Sequence, residues 1–154
     1  MTSQKLAALF QEYGDDVYRF AYSLTRHAAD AEDICQTVFC RAARGDVEHV
    51  PGREKAWLMQ CTANACKNRL RFLRYWAPAP LEEAECIPDE ADRGVFASVM
   101  ALPAKYRAPI HLYYYEGYKT AEIARLTGER EGTVRSRLSR ARGKLKELLK
   151  GELL

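Results

Sequence analysis

Leu6, Leu9, Phe10, Tyr13, Val17, Phe20, Ala21 and Leu24 recur at steps of three and four residues. A helix turns about once per 3.6 residues, so this spacing gathers them on one face, whereas a strand needs alternation. The same period returns in Ala31, Ile34, Cys35, Val38 and Ala42, and no alternating segment competes anywhere. The spacing therefore predicts an all-α chain. Gly14 and the pair Asp15-Asp16 interrupt the first run and predict a break into two helices. Asp30, with Asp33 three residues on, predicts the cap of the next helix, whose opposite face shows Glu32, Asp33 and Gln36.

Residues 45–53, GDVEHVPGR, hold two glycines and a proline and read as a loop. A further helix is expected over 54–74, with Trp57, Leu58, Cys61, Ala65 and Leu73 inward. The stretch APAPLEEAECIPDEAD then carries three prolines and six acids, the composition of a flexible acidic linker. The chain thus divides into a first domain over 1–76, a linker over 77–93 and a second domain over 94–154. A length of 154 residues with 47% hydrophobic content accommodates two small helical domains.

Past the linker, VFASVMALP opens the second domain and Pro103 suits a helix start. Pro109, six residues later, is expected to interrupt or kink that helix. Thr120 is expected to cap TAEIARLT, with Glu122 in its first turn and Gly128 at its end. The last and longest helix follows. It contains GTVRSRLSRARGKL, with four arginines and a lysine in fourteen positions.

The net charge of +3 says less than its distribution. From Tyr118 to Lys150 there are ten bases against four acids, and Lys67–Arg74 adds four bases with no acid. Between them, Glu82–Asp92 holds six acids and no base. Two basic regions around an acidic connector fit two surfaces facing a polyanion. On a helical wheel, Val134, Leu138, Ala141, Leu145, Leu148 and Leu149 share one side. Ser136, Ser139, Arg140 and Gly143 lie opposite. Arg135, Arg142 and Lys146 flank one edge, with Arg137 and Lys144 on the other. A short helix, a glycine turn and a longer basic helix make the helix-turn-helix layout, whose second helix fits the DNA major groove. Arginine there can bind guanine through two hydrogen bonds, and serine lets the backbone approach. The bland reading is a solvated amphipathic helix, but acids for pairing four residues apart are nearly absent from it.

KNRLRFLRYW, residues 67–76, mixes bases with Phe72, Tyr75 and Trp76. Such a mixture suits stacking of single-stranded bases, although aromatics at a helix end also serve as core. The acids Asp30, Glu32 and Asp33 have no histidine partner placed for catalysis, and capping and solvation account for them unless they dock a basic protein surface. No nucleophile elbow or phosphate loop occurs, so no catalytic residue or cofactor is expected. The five cysteines, Cys35, Cys40, Cys61, Cys66 and Cys86, show no C-x-x-C pair. They read as reduced, semi-buried side chains, with no metal site expected. No apolar run nears the roughly 20 residues of a membrane span, and acids interrupt the N-terminal run where a signal peptide needs none. A cytoplasmic protein with no membrane contact of its own is expected.

Three segments in this order resemble the extracytoplasmic-function sigma factors, the small bacterial class of the sigma-70 family that keeps only regions two and four. DAEDICQTVFCRA (30–42) is similar to the polymerase-binding helix of region two. AWLMQCTANACKNRL (56–70) is similar to the helix bearing its tryptophan and two asparagines. LPAKYRAPIHLYYYEGYKTAEIARLTGEREGTVRSRLSRARGKL (102–145) is similar to region four nearly throughout. The resemblance implies an alternative sigma factor that binds core RNA polymerase, through the largest subunit's coiled coil and the flap, and promoter DNA. An anti-sigma factor is the usual further partner. By the resemblance, Asp30, Glu32, Asp33 and Gln36 would face the coiled coil. Asn64 and the 45–53 loop would handle a base flipped from the minus-ten element, with Lys67, Asn68, Arg69 and Arg71 on the neighbouring backbone or bases. Arg135, Ser136, Ser139 and Arg140, flanked by Arg137 and Arg142, would meet the minus-thirty-five element.

The turn departs from the family pattern. Glu129 stands where an apolar residue is usual and Arg130 where serine or proline starts the recognition helix, which moves the expected cap to Thr133. One rival reading is a helix-turn-helix repressor or activator that binds its operator without polymerase, usually as a dimer. Another is an enzyme or metal-dependent redox sensor built on the cysteines. The acidic helix face and the paired asparagines favour the sigma reading over the first, and the missing ligand spacing weighs against the second.

Overall fold

The structure, a computed structural model, describes residues 1–76 and 93–152, apart from the side chains of 70–76, 93–96 and 150–152. Of the linker expected over 77–93, residues 77–92, Cys86 among them, lie outside the described residues, as do the side chains of Arg71, Phe72, Leu73, Tyr75 and Trp76, while Arg93 already belongs to a helix. Among the described residues every regular element is helical. The chain divides into two compact units, Met1–Glu82 and Glu83–Leu154.

The first unit packs α1 (Ser3–Thr25), α2 (Ala28–Ala43) and α3 (Glu54–Trp76), with a tight 3₁₀ turn at Asp46–His49. Val17 and Phe20 of α1, Ile34 and Val38 of α2, and Leu58, Met59 and Thr62 of α3 form its core. The α1 run does not break at Gly14. The helix continues because Gly14 is buried, and the Phe10 ring lies 3.4 Å from where a Cβ would stand. Packing there outweighs the roughly 1 kcal/mol that a mid-helix glycine costs. Phe10 itself is 54% exposed and meets Phe39 edge-on at 5.0 Å. Arg26 closes α1 in the left-handed conformation, its N–H donating to the Tyr22 carbonyl at 2.8 Å.

Asp30 is not the cap of α2. The helix starts two residues earlier, and the N-cap is His27, whose Nδ1 accepts the Asp30 N–H at 3.2 Å. A ring nitrogen in the acceptor role was not legible in a pattern built for carboxylates and hydroxyls. On α3 the buried set is Leu58, Met59, Cys61, Thr62, Ala63 and Cys66, wider than expected, while Trp57 and Ala65 are only half-buried. The helix is packed by α1, α2 and the 3₁₀ turn together, so no single stripe suffices.

The second unit holds α4 (Arg93–Ala101), α5 (Ala104–Ile110), a π-helical turn (His111–Tyr115), α6 (Thr120–Thr127) and α7 (Glu131–Glu152). Leu102, Tyr106, Ile110, Leu112, Ile123, Leu126, Val134, Leu138 and Ala141 form its core. Pro103 starts α5 as expected. Pro109 does not end the helix: α5 runs through it and widens into the π turn, where hydrogen bonds reach one residue further back. Arg107 is 2% exposed and its guanidinium donates to the Leu102 carbonyl at the end of α4.

Candidate nucleic-acid interface

Gly128, at φ +70°, ends α6 in the left-handed conformation that glycine adopts without strain. Three residues, Gly128 to Arg130, separate α6 from α7. Thr120 is not the cap of α6. Lys119 holds that position and its N–H donates to the Glu122 carboxylate at 3.1 Å. The Thr120 hydroxyl instead donates to Glu131 Oε1 at 3.0 Å, tying the start of α6 to the start of α7. Thr133 does not cap α7 either. Val134 N–H donates to the Arg130 carbonyl at 3.1 Å, so Arg130 takes the cap position and Thr133 lies inside the helix.

The wheel of α7 matches the packing. Val134, Leu138 and Ala141 are buried, whereas Leu148 at the far end is 41% exposed. Ser136, Ser139, Arg140 and Gly143 all face outward. The arginines differ in what they touch. Arg135 donates to Glu131 at 2.7 Å and Arg137 to Glu129 at 3.1 Å, so the two acids near the helix start neutralise two of the expected contacts. Arg142 Nε donates to the Tyr114 hydroxyl at 2.6 Å, and its guanidinium lies 5.4 Å from the Tyr113 ring and 5.7 Å from the Tyr114 ring. Arg140 makes no ion pair or hydrogen bond among the described residues. It lines a groove of about 370 Å³ with Ser136, Thr133, Gly132, Arg137 and, from α5, Lys105 and Tyr106. The apolar period and the basic count identify α7, but neither says which edge α5 approaches, so Lys105 went unpredicted.

In the first unit, Asn64 and Asn68 are exposed one turn apart on α3. With Arg69 they line a groove of about 560 Å³ against Thr37 and Arg41 of α2, floored by Ile34, Val38, Cys61 and Ala65. No residue of the 45–53 loop lines this groove. Lys67, one residue before Asn68, is half-exposed. Arg69 joins two sets of residues that the sequence kept apart. Its guanidinium donates to Asp30 and, at 3.3 Å, to Asp33. Asp30 is therefore not an open docking residue: its side chain is 14% exposed, against 59% for Asp33. Glu32 and Gln36 are exposed and edge a separate apolar groove formed by Phe10, Tyr18, Cys35 and Phe39.

Cys35, Cys61 and Cys66 are buried thiols, and Cys40 is an exposed one. Burial pushes the Cys66 thiol up to about 12 and raises those of Cys35 and Cys61. Such thiols hold their protons at neutral pH and are poor nucleophiles and ligands. Among the described residues no three His, Cys, Asp or Glu side chains gather where a metal ion could bind. No described helix is long and apolar enough to cross a membrane.

Two family models match, sigma-70 region 2 over residues 9–74 and sigma-70 region 4 over residues 97–145. The ECF RNA polymerase sigma factor SigM of Mycobacterium tuberculosis is 34% identical over 147 residues, covering 92% of this chain and 75% of SigM. The RNA polymerase sigma factor CarQ of Myxococcus xanthus is 34% identical over 155 residues, covering 94% and 88%. Among solved structures, the sigma factor RpoE in complex with the anti-sigma factor NepR, from Bartonella quintana, aligns with a TM-score of 0.73 at 28% identity. The alignment covers 96% of this chain and 95% of that one. CnrH, in complex with the cytosolic domain of CnrY, aligns at 0.67 with 25% identity, covering 97% and 90%. A two-unit helical chain whose second unit presents a helix-turn-helix is thereby placed in a class: this chain belongs to the ECF RNA polymerase sigma factors of the sigma-70 family.

Proposed function

We propose that this alternative sigma factor docks on core RNA polymerase through the outer face of α2, with Glu32, Asp33 and Gln36 as the contacts and Asp30 behind them. Region two then holds the opened minus-ten strand along α3, with Asn64, Lys67 and Asn68 toward DNA and Arg69 and Arg71 flanking them. Region four reads the minus-thirty-five duplex with Ser136, Ser139 and Arg140, while Arg135, Arg137 and Arg142 serve the edges of that contact. The observation that carries this reading is Arg140, an exposed arginine unpaired among the described residues on the outer face of the second helix of a helix-turn-helix. Elsewhere on α7 arginines are matched by acids or phenols.

The mechanism is binding rather than bond chemistry. Base-edge hydrogen bonds from a single helix discriminate by about 1–3 kcal/mol per arginine pair, too little for stable solitary binding. Holding an unstacked base costs a few kcal/mol. Polymerase supplies the remaining contacts, so the two domains act together only on the enzyme. The site of action is the cytoplasm. An anti-sigma factor is the regulatory partner, as the complex of the structural relative RpoE with the anti-sigma factor NepR suggests. The test is transcription by purified core polymerase on genomic fragments, with and without the chain. RNA starting at discrete positions only with the chain supports the reading. An unchanged start pattern removes it.

A further inference from the structure

We infer that Lys105 of α5 is a second DNA anchor, a phosphate contact that sets how α7 enters the major groove. The inference rests on the DNA-reading role of α7 proposed above. Lys105 and Arg140 line one groove, with Ser136 and Thr133 between them. Tyr106, the buried residue next to Lys105, holds two ammonium groups over its ring, Lys105 at 5.1 Å and Lys144 at 5.8 Å. Lys105, Arg140 and Lys144 thus form a cationic cluster spanning two helices, and none of the three pairs with an acid among the described residues. No acid lines the groove, and its one neutralised cation is Arg137, held by Glu129.

Like charges brought this close repel one another unless an anion joins them. The anion must be extended, because the groove is open and runs alongside the face that carries Ser136 and Arg140. A phosphodiester of the duplex beside the bases that Arg140 reads meets both conditions. Lysine suits the role: its ammonium is a compact point charge that grips phosphate without reading sequence. A contact from α5 also fixes the rotation of α7 about its own axis, which one helix alone leaves free.

The test uses holoenzyme assembled from core polymerase and the full chain, on promoters with matched and scrambled minus-thirty-five sequences. Lys105→Gln should weaken both promoters by the same factor and make the log–log salt dependence shallower by about 0.9, the release of one counterion. A methylphosphonate scan of the duplex should find one linkage whose neutralisation weakens the wild type and leaves Lys105→Gln unaffected. An unchanged salt slope overturns the inference, as does a loss confined to the matched promoter or a loss of core binding with normal DNA binding. Arg140→Ala, run in parallel, separates the two levels. If it abolishes preference for the matched promoter while Lys105→Gln does nothing, only the anchor is wrong. If neither acts, the reading of α7 is wrong.

Discussion

Replacing Arg69 with alanine should loosen region two before it affects anything else. The Arg69 guanidinium bridges Asp30 and Asp33 and so ties α3 to the first two turns of α2. The two contacts differ in worth. Asp30 is 14% exposed, and a hydrogen bond between charged groups that shielded contributes about 1.5–3 kcal/mol. Arg69 is 35% exposed, so screening by water puts the value at the low end, about 1.5 kcal/mol. Asp33 is 59% exposed and its share is about 0.5 kcal/mol or less. Both tryptophans, Trp57 and Trp76, fall within the first unit, so tryptophan fluorescence, excited where tyrosine does not absorb, follows region two alone. With a urea slope of about 1–2 kcal/mol/M for a unit this small, Arg69→Ala should lower the unfolding midpoint by roughly 1 M. Double-mutant cycles cancel the separate effect of each aspartate on the helix end. The Arg69–Asp30 coupling should be about 1.5 kcal/mol and the Arg69–Asp33 coupling under about 0.5 kcal/mol. A coupling to Asp30 within error of zero, or one no larger than that to Asp33, would refute the argument.

Asp33→Lys should weaken core-polymerase binding in a pull-down while the urea midpoint moves by about 0.5 kcal/mol equivalent or less, because the side chain is largely in water. Arg140→Ala should cost about 1–3 kcal/mol on the best minus-thirty-five sequence and little on scrambled DNA, measured as holoenzyme affinity. Lys146→Ala, one edge away on the wheel, should weaken all sequences alike and flatten the salt dependence by about 1. In a Cys86→Ala background a disulfide reagent at neutral pH should label Cys40 quickly, and Cys35, Cys61 and Cys66 only on unfolding. Cys66 titrates at about 12 rather than 9.0, so its neutral thiol favours the folded state. That contribution is complete below the ordinary thiol range and is lost as pH rises through it toward 12, so alkaline unfolding of region two should shift upward in pH in Cys66→Ala.

The helical periods of α1 and α7 were legible because each of these helices buries one stripe, and a stripe leaves a mark in the spacing of Val17, Phe20 and Leu24 or of Val134, Leu138 and Ala141, whereas α3 is packed on several sides. The outward set on α7 followed from the same arithmetic. Helix ends were less legible. His27 and Lys119 cap where Asp30 and Thr120 were expected, because a cap depends on which local acceptor reaches a free N–H, and several residues in each stretch could have done so. Contacts between elements were not legible at all. Nothing in the spacing brings Arg69 to Asp30 across 39 positions, seats Arg142 on Tyr114 or places Lys105 on one groove with Arg140. These depend on how two helices lie against each other, which apolar periodicity constrains only to a face.

The most direct test of the central claim is a gel shift and run-off reaction on one promoter taken from the genomic fragments, at physiological salt, with chain alone, core alone and both. The account predicts no specific complex and no RNA from either component by itself. It predicts a specific complex and a transcript with a single 5′ end from the two together. A tight, sequence-specific complex formed by the chain alone, or a transcript independent of the chain, would contradict it.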